Sequence, residues 1–234
     1  MRKLFAGLLA AVLLAAALLP GLAETPDTGG TVIFGAYEQD GDAANGPEPI
    51  EWLVLEVRDG AALLISRRVL DACAFHPTYA SVTWEQSGMR GFLNGEFLAA
   101  AFTGEEQAAI LAADLDNGPA QSDTWCADGG PATRDLVFLL SFAEAGLYFP
   151  EDSARLCAPT AFALARGARV NESNPDPEGS PACWWWLRSP GFYRYNAATV
   201  LASGARVNQA GVTGAAGGVR PCLWVRLDAL TPAP

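Results

Sequence analysis

The sequence predicts a domain of mixed α+β class, with strands towards both ends of the chain and helices between them. A strand–turn–strand pattern stands near the N-terminus, capping-box motifs mark helix starts in the middle, and short strands joined by glycine turns fill the C-terminal part. The composition does not shift along the chain, so one domain is indicated rather than two. We expect the N-terminal hairpin and the C-terminal strands to share one sheet.

Composition and charge exclude two classes of protein. The 234 residues include 15 Lys+Arg and 26 Asp+Glu, which gives a formal net charge of −11. Half of the residues are hydrophobic, so the chain can bury a core, unlike a disordered acidic tail. Binding to DNA or RNA requires clustered positive charge, and no nucleic-acid partner is therefore expected.

Residues 1–23 have the pattern of a secretory signal peptide. Arg2 and Lys3 supply the positive start, Leu4–Leu19 is an unbroken apolar run, and Gly21–Ala23 offers small residues for cleavage. The run has 16 residues, fewer than the roughly 20 that span a bilayer, so no retained membrane span is expected; a retained anchor is the alternative. Cleavage would leave 211 residues with a net charge of −13, secreted or otherwise extracytoplasmic.

The first strands are predicted after a short polar linker. The linker covers residues 24–30, and apolar residues then indicate strands over residues 31–34, 50–57 and 62–66. Asp59-Gly60 joins the last two strands and is typical of two-residue hairpin turns, because both residues tolerate a positive φ. The N-terminal part is therefore predicted to form a hairpin.

Helix starts are marked by capping boxes, in which two side chains satisfy backbone N–H groups of the first turn. The three boxes are Thr83 with Gln86, Thr103 with Glu106, and Ser141 with Glu144. The second helix is predicted to end near Ala113 and the third near Phe149, and a fourth runs from near Thr160 to Gly167. A buried strand is predicted over residues 135–140.

Short strands separated by glycine turns are predicted from Ala182 onward. They cover residues 183–188, 197–201, 205–208 and 219–227. Residues 31–228 are predicted to form the single domain, and residues 229–234 a loose tail.

Several segments stand in an order that resembles a known family. They are Glu48–Leu55, Thr83–Glu85, Met89–Arg90, Phe92–Asn94, Val137–Ser141, Trp184–Gly191 (WWWLRSPG) and Val219–Pro221. In this order they resemble the bacterial family called domain of unknown function 6273, over roughly residues 31–227. The C-terminal half is also similar to the C-type-lectin-like group, which includes formylglycine-generating-enzyme-like domains and variable receptors of bacteria and phages.

The lectin-like resemblance implies a scaffold that presents a ligand. In that group, a final strand with the signature Gly-[Val or Phe]-Arg closes the sheet, and Gly218-Val219-Arg220 stands in that place. The implied fold is a C-type-lectin-like mixed sheet of the N-terminal hairpin and the C-terminal strands, with helices inserted between, and a structural role for Arg220. No cofactor is implied.

Five cysteines are present, and their spacing does not fix which of them pair. Relatives often carry cysteines at the places that match Cys157 and Cys183, so the resemblance implies a Cys157–Cys183 disulfide. Cys222 stands where relatives usually have alanine and is either a free thiol or part of a second bridge with Cys73 or Cys126.

The stretch after the WWWLRSPG segment is the candidate ligand-binding surface, because it combines aromatic contact area with adaptable hydrogen-bonding groups. The candidate binding residues are Tyr193, Arg194, Tyr195, Asn196, Arg206 and Asn208. Trp185 and Arg188 within the segment are expected to be structural, the arginine by anchoring a turn or pairing with a carboxylate. We expect an exported, non-enzymatic recognition or adhesion module whose partner is a glycan or protein ligand; a plain exposed loop is the alternative.

Two other functions are left open. Cys73 and His76 lie three residues apart and could pair as a nucleophile and its base in a secreted thiol-dependent enzyme, although such pairs usually come from distant segments. Cys183 and Cys222 do not have the surroundings of a formylglycine-generating active site. No catalytic residue is therefore assigned. A structural domain of an envelope assembly is the other possibility.

A calcium loop is suggested by spacing but fails on its ligands. Asp40, Asp42 and Glu51 match the first, third and last positions of an EF-hand loop. Ala44 takes a ligand position, however, and Gly46 stands one place too late for the required turn. No metal site is expected there.

Overall fold

A computed structural model describes residues 26–118 and 126–233. The predicted signal peptide and the first residues of the predicted linker lie outside this part. The chain has a mixed α+β fold with two main sheets and two small two-stranded sheets. No helix of the described residues is long and apolar enough to cross a membrane.

Short strands and short helices make up the fold. The strands are β1 Thr31–Tyr37, β2 Glu48–Arg58, β3 Ala61–Ser66, β4 Asp71–Ala72, β5 Ile110–Leu111, β6 Ala113–Leu115, β7 Thr133–Asp135, β8 Val170–Pro175, β9 Pro181–Cys183, β10 Trp185–Pro190, β11 Asn196–Val200, β12 Arg206–Gly211, β13 Gly218–Val219, β14 Cys222–Arg226 and β15 Thr231–Pro232. The helices are α1 Gly88–Phe92, α2 Leu98–Ala101, α3 Gly104–Ala109, α4 Phe142–Tyr148, α5 Asp152–Arg155 and α6 Ala161–Ala165, with a π-helical turn over Leu93–Phe97 and a 3-10 turn over Leu227–Ala229.

The first main sheet is built around the predicted hairpin. Its strand order is β15-β1-β2-β3-β14-β5, and all neighbours are antiparallel. Asp59 and Gly60 turn the chain between β2 and β3 with positive φ values of 51° and 76°. This is the conformation that an Asp-Gly turn favours, so the hairpin prediction is confirmed.

The second main sheet holds most of the C-terminal strands. Its order is β12-β11-β10-β13-β4, and β10 runs parallel to β13, with Trp185 opposite Gly218. The expectation of one shared sheet was therefore wrong: among the described strands after residue 180, only β14 and β15 belong to the first sheet. The chain passes from one sheet to the other at Arg220-Pro221, where the Pro221 carbonyl accepts from the Ser66 N–H at 3.0 Å.

Helix starts were predicted correctly at three of four places. Thr103, Ser141 and Thr160 each cap a helix with the side-chain oxygen. Thr83 does not, because its carbonyl closes a turn with Gln86 and the first helix is capped by Ser87 instead. The second helix also ends earlier than predicted, since β5 leaves it to pair with β14.

The apolar segment predicted as a strand over residues 135–140 is extended but mostly unpaired. Only Asp135 belongs to a strand, and Phe138 forms an isolated bridge with Cys222. Leu136 and Val137 donate their backbone N–H groups to the Asn94 side chain instead of to a neighbouring strand. The Asn94 side chain thus takes the place of the backbone hydrogen bonds that a neighbouring strand would provide.

The predicted linker and the predicted C-terminal tail are both partly hydrogen-bonded to the first sheet. The tail was expected to be loose, but β15 pairs with β1 and Ala233 N–H donates to the Thr31 carbonyl at 3.1 Å. In the linker, Gly29 N–H donates to the Val54 carbonyl at 2.8 Å. The backbone of β1 and β2 provides these partners, and a sequence pattern does not show them.

One hydrophobic core draws on both main sheets. Trp52 from the first sheet and Trp185 and Trp186 from the second are fully buried in it. The core thereby fixes β10, and the loop that follows β10 is attached to a rigid strand.

Candidate functional site

The loop over residues 191–196, here called the tyrosine loop, is held by its backbone. Gly191 N–H donates to the Asn196 carbonyl at 2.9 Å, and Asn196 N–H donates to the Tyr193 carbonyl at 2.9 Å. Neighbouring segments bind it as well, since Val82 N–H donates to the Arg194 carbonyl and Ala127 N–H to the Gly191 carbonyl. The loop is therefore ordered before any ligand arrives, which lowers the entropic cost of binding.

Gly191 is needed for this geometry. A Cβ atom at this position would lie 2.3 Å from the Cβ of Asn196 and 2.6 Å from the Asn208 carbonyl oxygen. Only glycine allows the two strand ends to approach so closely. The pairing of β10 with β11 also shifts register between Trp186 and Pro190, just before the loop. Such bulges turn side chains away from the regular sheet direction.

Four rings at the surface form what is here called the aromatic cluster: Phe192, Tyr193 and the partly exposed Tyr195 of the loop, and Tyr79 from outside it. Tyr193 and Tyr195 stack with ring centroids 5.2 Å apart and planes at 19°. Tyr79 lies 4.9 Å from Tyr195, and Phe192 lies 4.8 Å from Tyr193 at a steep angle. Tyr79 is 67% exposed and Tyr193 is 54% exposed. These rings contact one another instead of the core.

A groove lies on β11 and β12 beside the aromatic cluster, with a volume of about 630 Å³. It is lined by Phe142, Trp184, Thr199, Leu201 and residues 206–210. The two features adjoin, because Phe192 N–H donates to the Asn208 carbonyl at 2.6 Å and the Asn196 side chain donates to the Gln209 carbonyl at 3.3 Å. The volume falls within the range of about 300–1,000 Å³ common for ligand pockets.

The six candidate binding residues lie in the tyrosine loop and on the adjoining strand β12. Arg194 is exposed, and Tyr195 and Asn196 are partly exposed. Arg206 and Asn208 line the groove rather than the loop. The Arg206 guanidinium lies 4.4 Å from the centre of the Phe142 ring and donates to the Phe142 carbonyl, so it also holds helix α4 against the sheet.

Three residues of the site were missed from the sequence. Tyr79 lies 116 positions before Tyr195, and no local pattern connects them. Thr199 belongs to a buried strand, and its place on the groove floor depends on the pairing with Trp186 and Val207. Trp184 could have been found, because alternation along a strand places it on the face opposite Trp185.

Trp185 and Arg220 are buried and contact each other. The Arg220 guanidinium lies between the rings of Trp185 and Phe149, 5.1 Å and 5.2 Å from their centres. Its Nε donates to the Ser66 carbonyl at 3.0 Å, which joins the two main sheets. The Trp185 indole N–H donates to the Arg155 carbonyl at 3.2 Å. Neither residue is available to a ligand.

Arg188 forms a buried ion pair with Glu144 of helix α4. One guanidinium nitrogen donates to Glu144 Oε1 at 2.7 Å, and the other contacts Glu144 Oε2 and the Leu139 carbonyl. Glu144 also accepts from the Ser141 N–H as part of the capping box. Burial alone would raise the pKa of Glu144, but the hydrogen bond and charge of Arg188, with the Ser141 N–H, outweigh it and lower the pKa.

The disulfide implied by the resemblance is not formed. Cys157 and Cys183 are both free and buried, although Cys183 N–H donates to the Cys157 carbonyl at 3.0 Å. The Cys157 thiol contacts the Arg67 carbonyl at 3.4 Å instead of the partner sulfur. Burial raises the pKa of both thiols. The two cysteines are neighbours in the core and pack as small apolar side chains.

Within the described residues, no hydrogen bond joins Cys73 to His76. His76 Nδ1 accepts a hydrogen bond from Gly88 N–H at 3.2 Å. Burial, together with the nearby charge of Asp71, raises the pKa of Cys73 to about 12. A thiol with so high a pKa is almost entirely protonated at neutral pH and is a weak nucleophile.

One acidic group could in principle hold a cation. The carboxylates of Glu38, Asp40 and Glu48 lie within 4.8 Å of one another in the loop between β1 and β2. Loop groups already occupy them: the Asn45 side chain and Asp42 N–H donate to Asp40, and these bonds lower its pKa. Asp42 and Glu51, the other residues of the suggested calcium loop, are not part of this group.

Comparison with known proteins places the chain in one family. A family model described as a domain of unknown function (DUF6273) matches residues 59–227, which include both the tyrosine loop and the groove. Comparisons with curated proteins and with solved structures gave no match. The match covers more than half of the chain, and the protein belongs to the DUF6273 family.

Proposed function

We propose that the protein is an exported, non-enzymatic recognition module that binds a glycan or protein ligand through the aromatic cluster and the adjoining groove. The observation that carries the proposal is the exposed stack of Tyr193 and Tyr195 on a loop fixed by its backbone. Exposed aromatic rings offer a large apolar contact area with few rotatable bonds. Contiguous exposed apolar surface of this kind marks interaction sites.

The rest of the site supports this function rather than a reaction. Against catalysis by Cys73 and His76, the imidazole Nδ1 accepts from the Gly88 N–H, and burial raises the pKa of the Cys73 thiol. The groove carries mostly apolar, amide and hydroxyl groups. Such a lining can hold a ligand but supplies no group with a pKa suited to acid–base catalysis near pH 7.

A C-type-lectin-like fold and export are parts of the same proposal. In support of the lectin-like part, Trp185 pairs with Gly218, so the Gly218-Val219-Arg220 segment begins beside the tryptophan-rich strand. Residues 1–23 supply the signal peptide, and the ligand would then be on a cell surface or in the medium. Neither nucleic acid nor a retained membrane span enters this proposal.

An array of glycans and proteins tests the proposed function. We expect the parent protein to give reproducible hits, and the Tyr193→Ala/Tyr195→Ala variant to lose them. Leu164→Ala serves as the control, because it removes an exposed apolar side chain from helix α6, outside the proposed face. Equal binding of every hit by the parent and the double variant would show that the assigned surface is wrong.

A further inference from the structure

We infer that the groove on β11 and β12 is a subsite for a neutral saccharide. The inference rests on the proposed function, because the groove and the aromatic cluster form one face, and it names the class of ligand for that face. Four features support it: an unpartnered hydroxyl, an apolar wall, the absence of an available charge, and continuity with the stacked tyrosines.

The hydroxyl belongs to Thr199 on the groove floor. Thr199 is 1% exposed, and its Oγ1 has no hydrogen-bond partner among the described residues. A buried hydroxyl without a partner costs free energy, and native structures rarely keep one without a reason. Thr199 lines the groove, so a ligand there lies against this side chain and would pair with the hydroxyl after a rotation about χ1 turns it outward.

The wall of the groove is suited to the apolar face of a sugar ring. The half-buried Trp184 contacts Trp186 edge to face at 4.9 Å, which fixes its indole at the groove. Leu201 and Val207 extend the apolar lining. A pyranose ring has C–H groups on its faces and hydroxyls at its rim. An apolar wall beside a hydroxyl and the Gln209 amide therefore matches both parts of the ring.

The charge of the groove favours a neutral ligand. Arg206 is the charged residue among those described in the lining. Its guanidinium is engaged by the Phe142 ring and carbonyl, so it already has partners. A phosphate or carboxylate ligand would instead require an available cation or a set of converging N–H groups.

The neighbouring tyrosines suggest that the saccharide has more than one unit. The groove meets the tyrosine loop at Asn208 and Gln209, through the backbone and side-chain hydrogen bonds described above. A chain seated on Trp184 can therefore continue over Tyr193 and Tyr195, whose stacked rings repeat the apolar contact. A linear or branched oligosaccharide fits this arrangement better than a single sugar.

Binding of short neutral oligosaccharides of glucose, galactose, mannose and N-acetylglucosamine to Thr199→Val tests the inference. Valine keeps the branched shape and removes only the hydroxyl. We expect an affinity about fivefold or more below that of the parent, as for one lost hydrogen bond, with an unfolding temperature that does not fall. Thr83→Val is the matched control, since Thr83 Oγ1 is also buried without a partner in the described part of the chain but lies outside the groove.

Trp184→Ala and Tyr193→Ala/Tyr195→Ala distinguish a failure of the saccharide subsite from a failure of the proposed function. Trp184→Ala should weaken oligosaccharide binding at least about tenfold, as expected for an aromatic anchor. Unchanged oligosaccharide affinity in Thr199→Val, or hits that are all proteins, would overturn the saccharide subsite. The proposed function would still stand if Tyr193→Ala/Tyr195→Ala lost binding. An absence of hits on the whole array would overturn both.

Discussion

Arginine and aromatic side chains serve two regions of the molecule in different ways. In the interior, Arg155, Arg188 and Arg220 are buried among rings, carbonyls and the carboxylates of Asp152 and Glu144. At the surface, Tyr79 and Tyr193 are exposed and contact mainly other rings. The interior set joins helix α4 and the two sheets, whereas we expect the surface set to add little to folding. Side chains of the same chemistry thus stabilise the fold in one region and offer contact area to a ligand in the other.

The largest expected effect comes from breaking the interior set at Arg188. Arg188→Ala would leave Glu144 without its cation and the Leu139 carbonyl without a donor. We expect the free energy of unfolding to fall by about 3 kcal/mol or more, as for other buried pairs that lose one partner. Chemical denaturation measures this.

An exposed ion pair gives the matched control for Arg188. Arg134 pairs with Asp114 at 2.9 Å, but both side chains are well exposed. Arg134→Ala should change the free energy of unfolding by less than about 1 kcal/mol. A similar loss in the two variants would contradict the special role of the buried arginine.

A methyl group at Gly191 should affect both regions together. Gly191→Ala would clash with Asn196 and the Asn208 carbonyl, so we expect a loss of about 1–3 kcal/mol in stability and weaker ligand binding. Gly211→Ala, at the end of β12, is the control, because nothing lies within 4 Å of its added Cβ. Unchanged binding in Gly191→Ala would show that the loop geometry is not needed for recognition.

Lowering the pH should weaken the buried pair of Arg188 with Glu144 before it affects the residues at the surface. The pKa of Glu144 is lowered in the folded protein, so its ionised form stabilises the fold above the unfolded-state pKa of about 4.3. This contribution is lost as the pH falls through the lower folded-state pKa. Unfolding curves recorded at decreasing pH should show a steeper loss of stability for the parent than for Glu144→Gln. Parallel losses in the two proteins would contradict this role of Glu144.

Local features of the fold could be predicted from the sequence, and long-range ones could not. The Asp59-Gly60 turn and the caps at Thr103, Ser141 and Thr160 depend on neighbouring residues, and their patterns gave the right structure. The division into two sheets depends on partners far apart in the chain, such as Cys222 and Ile65. No spacing rule contains that information.

The candidate site shows the same division. The composition of residues 193–196 suggested a recognition loop, and the structure places Tyr193 at the surface. The contact of Tyr79 with Tyr195 and the unpartnered hydroxyl of Thr199 depend on tertiary packing. The implied disulfide failed for a related reason: Cys157 and Cys183 are neighbours, but the direction of the Cys157 thiol is set by its surroundings.

The division between the two regions is tested most directly by measuring stability and ligand binding on one preparation of the Tyr193→Ala/Tyr195→Ala protein. We predict a free energy of unfolding within about 0.5 kcal/mol of the parent value, as for surface substitutions, together with loss of array binding. A fall in stability of more than about 2 kcal/mol, or retained binding, would contradict the assignment of these tyrosines to recognition.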